Sequence, residues 1–276
     1  MSDLLKANSY KIGIDEQKHI QLDILDAVDA FCRSVNIQYS IFFGTLLGAV
    51  RHKGYIPWDD DIDIAMDREN YNRFITLFPD TLNGIYKLAS QNIISSWHAP
   101  FSKVYDSSTI VKDELANTYP IGISIDIFPC DEVPDDTKER NAFLKMQRFI
   151  IKLNAIKIAK SNGVKNVKKK IALIICKMIL FPIPHSLLKA IWAKHTIKCN
   201  GKGFKDVFCV AYFSTAKSAF RKDIFNELIE WTFEDRFYYG FKDADQYLKA
   251  IYGDYMKLPP KELQIQTHHI AAFRKG

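Results

Sequence analysis

Residues 41–66 read IFFGTLLGAVRHKGYIPWDDDIDIAM. An apolar run meets Gly44-Thr45, residues 46–52 space their apolar side chains as a short helix, and Gly54 and Pro57 turn the chain. Four aspartates follow within five positions: Asp59, Asp60, Asp61 and Asp63. Ile62 and Ile64 alternate with Asp61 and Asp63, the period of a half-buried strand, which is expected over residues 62–66. On such a strand Asp61 and Asp63 share a face. Two carboxylates roughly 7 Å apart on one sheet face repel unless a cation stands between them. Hard oxygen donors suit Mg²⁺, with Mn²⁺ as the second candidate, and Mg²⁺ bound in this way commonly also holds substrate phosphates.

Outward from this stretch, residues 14–35 predict an amphipathic helix carrying Ile20, Leu22, Leu25, Val28 and Phe31 on one side, with Asp15 as its N-cap. Residues 37–43 predict a strand ending at Gly44-Thr45, where a helix opens. Asp67 caps a helix reaching about Phe78. Residues 86–105 are expected to be rich in sheet. Residues 121–128, IGISIDIF, alternate cleanly, with Asp126 on one face and Ile125 and Ile127 on the other. Pro129 and Pro134 are expected to close this α/β part, so residues 1–135 form one unit.

From Thr137 the texture becomes helical. Phe143, Met146, Phe149, Ile150, Leu153 and Ile156 make a stripe; a basic run, 165–170, leads into an apolar one, 171–183; Pro182 and Pro184 break it; and a helix is predicted over 185–199. Residues 208–213 predict a strand, and a last helix from Tyr247 ends near Gly253 ahead of a Pro-Pro stop. The basic-then-apolar segment 165–183 reads either as a loop entering a core helix or as a membrane-surface segment.

At 276 residues and 47% hydrophobic, the chain can bury a real core. A net charge of +6 favours anionic partners but is too mild to argue nucleic acid. Five widely spaced cysteines without a CxxC pair argue against a disulfide framework and a zinc site, and suit a reducing cytosol. The N-terminal residues carry no export pattern, and no uncharged apolar run reaches membrane-spanning length.

Chemically, a strand ending in Gly-Thr before a helix makes an anion site, since glycine admits a phosphate close to the helix N–H groups. With Asp61, Asp63 and Asp126 beside it, three carboxylates and divalent metal can face a di- or triphosphate, as in-line phosphoryl transfer requires. Arg51, His52 and Lys53 are candidates to neutralise phosphate oxygens. An EF-hand is excluded because its glycine position holds Ile64. Trp58 either stacks a base or choline, or braces the turn. Asp59 and Asp60 are either additional ligands or a charged turn.

GTLLGAVRHKGYIPWDDDIDIAM resembles the signature of the LicD family of phosphotransferases, within the nucleotidyltransferase superfamily. That pattern of Gly-Ser/Thr, Asp-x-Asp on a strand and a distant third acid is matched by Gly44-Thr45, Asp61-Ile62-Asp63 and Asp126. FSKVYDSSTIV, with Lys103, resembles another family segment. YLKAIYGDYMKLPP, followed by His268 and His269, resembles the family's C-terminal signature, whereas FEDRFYYGFKDADQYL departs from it. The resemblance implies a nucleotidyltransferase-like mixed sheet followed by a helical region, 136–276, whose end returns to the core. It also implies that Mg²⁺ is held by Asp61, Asp63 and Asp126; with the candidates read from the residues themselves, the donor is expected to be bound by Gly44, Thr45, Arg51, His52, Lys103 and His269. The implied reaction moves phosphocholine, or a related phospho-alcohol, from CDP-choline or another CDP-alcohol to a glycan hydroxyl, releasing CMP. Lipopolysaccharide, teichoic acid and capsule precursors are the acceptor classes, lipid-linked acceptors included. The expected location is the cytoplasm, with peripheral contact at the inner face of the membrane. The rivals are a nucleotidyltransferase that expels pyrophosphate, and an Asp-x-Asp glycosyltransferase, which needs a longer nucleotide-binding half before its motif.

Overall fold

The computed structural model describes residues 9–78, 84–112, 119–161, 164, 166–210, 219–265 and 271–276. A two-residue strand, β1 (Tyr10–Lys11), precedes α1 (Ile14–Ser34), whose apolar side buries Ile20, Ile24, Leu25, Val28 and Cys32. Gly13, not Asp15, is the N-cap; Asp15 lies in the first turn beside Glu16, where the positive end of the helix dipole favours carboxylates. The next strand, β2 (Ser40–Ile41), is shorter than the expected 37–43 because α2 (Phe43–Arg51) begins one residue before Gly44. The ladder still reaches Phe42, whose N–H donates to the Asp63 carbonyl at 2.8 Å.

The acidic run leads into β3 (Asp63–Asp67), so Asp61 stands just before the strand rather than on it. Asp67 caps α3 (Arg68–Leu77), accepting from the Asn70 N–H at 2.7 Å, as its sequence predicts. The 86–105 stretch resolves into β4 (Tyr86–Ala89) and β5 (Ser102–Asp106) with turns between them, followed by β6 (Thr109–Lys112).

The strand β7 (Ser124–Val133) runs through Pro129 instead of stopping there. The Asp126 N–H donates to Ile62 on the β3 side, so position 129 faces the opposite edge. On that edge pairing with β5 ends at Ile127, and the next partner begins at Asp131. Proline therefore sits in a gap where no N–H is required.

The helical part comprises α4 (Thr137–Ile158), α5 (Val167–Leu180) and α6 (His185–Thr196), the last ending short of residue 199. Asp136 caps α4, and Asn166 caps α5. Two short strands follow, β8 (Asp206–Phe208) and β9 (Phe220–Arg221). The expected 208–213 strand thus only touches β8, and residues 211–213 lie outside the described residues. A hairpin of β10 (Leu228–Phe233) and β11 (Arg236–Phe241) precedes α7 (Ala244–Tyr252) and β12 (Ala271–Arg274). The final helix starts at Ala244, ahead of Tyr247, and stops at Gly253, whose φ of +69° suits glycine.

The fold is α/β with a mixed sheet. Its main strand order is β2-β3-β7-β5-β4; β3 and β7 are parallel and the other neighbours antiparallel. The second half of β7 carries β8, and β8 carries β9. A smaller sheet, β1-β12-β6, joins segments distant in sequence. Residues 220–248 return to the main core, where Phe220, Phe241 and Tyr247 surround Phe42. Arg68 makes two 2.7 Å hydrogen bonds to the buried Asp131 on β7, and Asn200 donates to the same carboxylate at 2.6 Å. Asn200 also accepts from the Glu132 N–H, which fastens the end of the helical part to the sheet.

Candidate active site

Sheet register builds the site. Asp63 on β3 stands opposite Asp126 on β7, and Asp126 stands opposite Lys103 on β5. Cross-strand partners share a face, so Asp63, Asp126 and Lys103 form a row across three neighbouring strands about 4.8 Å apart. Lys103 Nζ donates to Asp126 Oδ1 at 2.5 Å. Asp61 precedes the row at the mouth of β3. Thr45, in the first turn of α2, accepts from the Asp63 N–H at 2.9 Å, which fixes that helix to the start of the strand.

The turn into β3 is held from α1. Gln17 and Gln21 both donate side-chain N–H to the Asp60 carbonyl at 3.0 Å. Gly44 has a specific steric reason: a Cβ there would lie 2.5 Å from Asp59 Oδ2. The close approach that the glycine permits is made here by the chain's own carboxylate.

A cavity of ≈ 320 Å³ opens on this row. It is lined by Asp60, Asp61, Lys103 and Asp126, by Gln17 and Gln21 from α1, and by the rings of Trp97, His98, Phe101 and Tyr119. Arg51, His52, Lys53 and Trp58 are not among the residues that line this cavity. Arg51 ends α2 and donates to the Tyr255 carbonyl at 2.5 Å, and burial lowers its pKa. The neighbouring His52 packs edge-on to Trp58, with its basicity lowered by burial and then by Arg51. Trp58 itself packs against the core. The Lys53 carbonyl accepts from Glu234 in the β10–β11 turn. His268 and His269 lie outside the described residues.

Electrostatically the row is strained toward a cation. Burial holds Asp63 well above the usual carboxylate range, and Asp61, Asp126 and Asp59 add to the shift; Lys103 opposes it. Burial works against the charge on Lys103, but Asp126, then Asp63 and Asp61, outweigh it and hold the amine above its ordinary value. All-oxygen donors and mutually repelling carboxylates fit Mg²⁺ by chemistry. Among the described residues, no three acid, imidazole or thiol groups are already gathered as ligands, and Lys103 is the cation on Asp126.

A family model described as LicD/FKTN/FKRP, nucleotidyltransferase domain, matches residues 36–160. The lipopolysaccharide cholinephosphotransferase LicD of Haemophilus influenzae is 34% identical over 263 residues, covering 94% of this chain and 97% of that protein. The chain belongs to the LicD family. It is an enzyme of the LicD phosphotransferase type. An uncharacterized protein of Rickettsia typhi is 37% identical over 91 residues, 33% of this chain and 29% of that protein. In this LicD-family chain, Gln17, Gln21, Trp97, His98 and Tyr119 are site-lining residues that the acidic motif did not announce. The glutamines had a signal, as polar residues at i and i+4 on the buried side of α1. The aromatic wall had none, since it comes from turns whose position only the sheet determines.

Thr45→Val is expected to leave the buried Asp63 N–H without its acceptor. The chain should lose about 1–3 kcal/mol of stability, read by denaturant unfolding, and turnover should fall with it. An unchanged midpoint would show that the hydroxyl does not hold the strand start.

Proposed function

We propose that this chain transfers phosphocholine, or a closely related phospho-alcohol, from its CDP ester to a hydroxyl of a cell-surface glycan, with a lipopolysaccharide precursor as the first acceptor to test. The observation that carries the reading is the register of Asp63, Asp126 and Lys103 across three strands, with Asp61, Asp126 and Lys103 lining one cavity, in a chain that aligns almost end to end with a cholinephosphotransferase.

Asp61 and Asp63 are the residues that would hold Mg²⁺, with Asp126 next to them; the bound ion would supply neutralisation of phosphate charge. Lys103, already poised on Asp126, offers a second positive charge to phosphate oxygens. The acceptor oxygen attacks the phosphorus that bears choline, the P–O bond to the CMP phosphate breaks, and CMP leaves with that electron pair. Asp126 takes the hydroxyl proton as the new bond forms. The aromatic wall of Trp97, Phe101 and Tyr119 suits a quaternary ammonium group.

The test is incubation with Mg²⁺, CDP-choline and a deacylated lipopolysaccharide core, followed by nucleotide chromatography. Formation of CMP together with choline-bearing glycan is expected. Pyrophosphate release from a nucleoside triphosphate, with CDP-choline inert, would instead establish the nucleotidyltransferase reading. Thermal shifts with CDP-choline, CDP-ethanolamine, CDP-ribitol and CDP-glycerol rank the donors, since binding stabilises the folded state by mass action.

A further inference from the structure

Residues 141–205 contain fifteen Lys and Arg and no Asp or Glu, whereas the whole chain is only +6. The remainder is therefore net acidic, and the positive charge is concentrated in α4–α6 and their connections. The same region holds the most exposed apolar side chains of the described residues. Phe181 is 83% exposed, Val167 69% and Ile179 68%. On α5, Val167, Ile171, Ile174, Ile175 and Met178 recur at i, i+4, i+7, i+8 and i+11, one continuous side of the helix. The opposite side meets the protein: Leu180 is buried, and Lys177 donates to the Ala159 carbonyl at the end of α4. Lys168 and Lys169 are exposed in the first turn of the helix.

We propose that α5 and the Phe181 corner bind the surface of an anionic lipid bilayer, with the apolar side in the headgroup–acyl boundary and the lysines on lipid phosphates. An apolar side bordered by lysines is what such an interface takes. Nucleic acid would match the charge but offers no apolar phase for Phe181, Ile179 and Met178. At 14 residues α5 is about 21 Å long, short of the roughly 30 Å hydrocarbon core. The pair α5 and α6, bent by 90°, has the length and composition of a broken span, but α6 is anchored through buried Leu188, Trp192 and Thr196. The helix therefore lies on the bilayer. Trp192 and Ile150 pack with Ala99 against Phe101, the residue that walls the cavity beside Lys103. One packed layer thus separates the lipid-facing lobe from the cavity.

Flotation of the full chain with phosphatidylglycerol–phosphatidylcholine vesicles and with pure phosphatidylcholine vesicles tests this. Binding to the mixed vesicles that weakens with salt is expected. The variant Ile175→Asp/Met178→Asp/Phe181→Asp should lose on the order of a hundredfold or more of that binding. Lys168→Gln/Lys169→Gln/Lys170→Gln should lose on the order of a hundredfold on mixed vesicles only. All six positions are solvent-facing or only half-buried, so both variants should melt as the parent does, which confirms that they fold. Absence of vesicle binding, equal binding to both vesicle types, or binding that survives the three aspartates would each overturn the proposal. So would a concentration-dependent dimer that the aspartate variant abolishes in a chain that ignores vesicles. None of these readouts involves the transferase reaction, so failure of the proposed activity would not be confused with failure of this inference.

Discussion

Asp63→Asn should lower turnover by about a thousandfold or more, the scale of removing several kcal/mol of charge stabilisation at the reacting phosphate, and should raise the melting temperature of the metal-free protein. The two effects share a cause. Asp63 is buried beside Asp61, Asp126 and Asp59, and its folded-state pKa lies well above its unfolded value. A carboxylate shifted upward destabilises the fold once pH exceeds its unfolded pKa of about 3.9, and does so fully above the folded one. The amide keeps the shape and removes that penalty. The variant should therefore melt higher at neutral pH, with the difference closing as pH falls toward 4. Added Mg²⁺ should raise the parent's melting temperature and leave the variant's nearly unmoved. Near-parental turnover, or a lower melting temperature at neutral pH in the absence of metal, would remove Asp63 from the assigned role.

Arg68→Leu should cost about 3 kcal/mol of stability or somewhat more. Asp131 is fully buried, and Arg68 supplies two of its hydrogen bonds. Removing the guanidinium leaves a carboxylate in the interior with, among the described residues, the Asn200 amide as its remaining side-chain hydrogen-bond donor. The expected rescue is Arg68→Leu/Asp131→Leu, which removes the stranded charge and recovers most of the loss. Urea unfolding of the parent, the single and the double variant checks this. A double variant no better than the single would mean that shape, not charge, is what the pair provides.

The sequence made the neighbouring placement of Asp63 and Asp126 legible because its chemistry and its periodicity coincide. Ile62 and Ile64 alternate with Asp61 and Asp63, as Ile125 and Ile127 do with Asp126, and the structure sets the two stretches side by side with Asp63 opposite Asp126. Capping at Asp67 was readable for the same local reason. Lys103 could be named only through a family resemblance, because nothing within β5 distinguishes it from a surface lysine; the register with Asp126 makes it part of the row. The continuation of β7 through Pro129 escaped a local reading because it depends on which neighbour stops where. The hairpin of residues 228–241 escaped it too. Its aromatic residues include Trp231 and Tyr239, which sit on opposite-facing positions and blur the alternation. The donor contacts expected of Arg51 and His52 rested on nearness in sequence to the acids. In the fold, α2 carries them away from its first turn to the Tyr255 carbonyl and Trp58.

The uninterrupted strand β7 carries Asp126 near its start and Asp131 near its end, where the helical part is fastened. A stiff beam, not a tether, thus connects Asp126 to the basic helices. Whatever load those helices take from a surface reaches Asp126 through about 17 Å of hydrogen-bonded backbone. Reach toward a larger or smaller acceptor must then be set by side chains around the opening, because no slack exists along that route to lengthen.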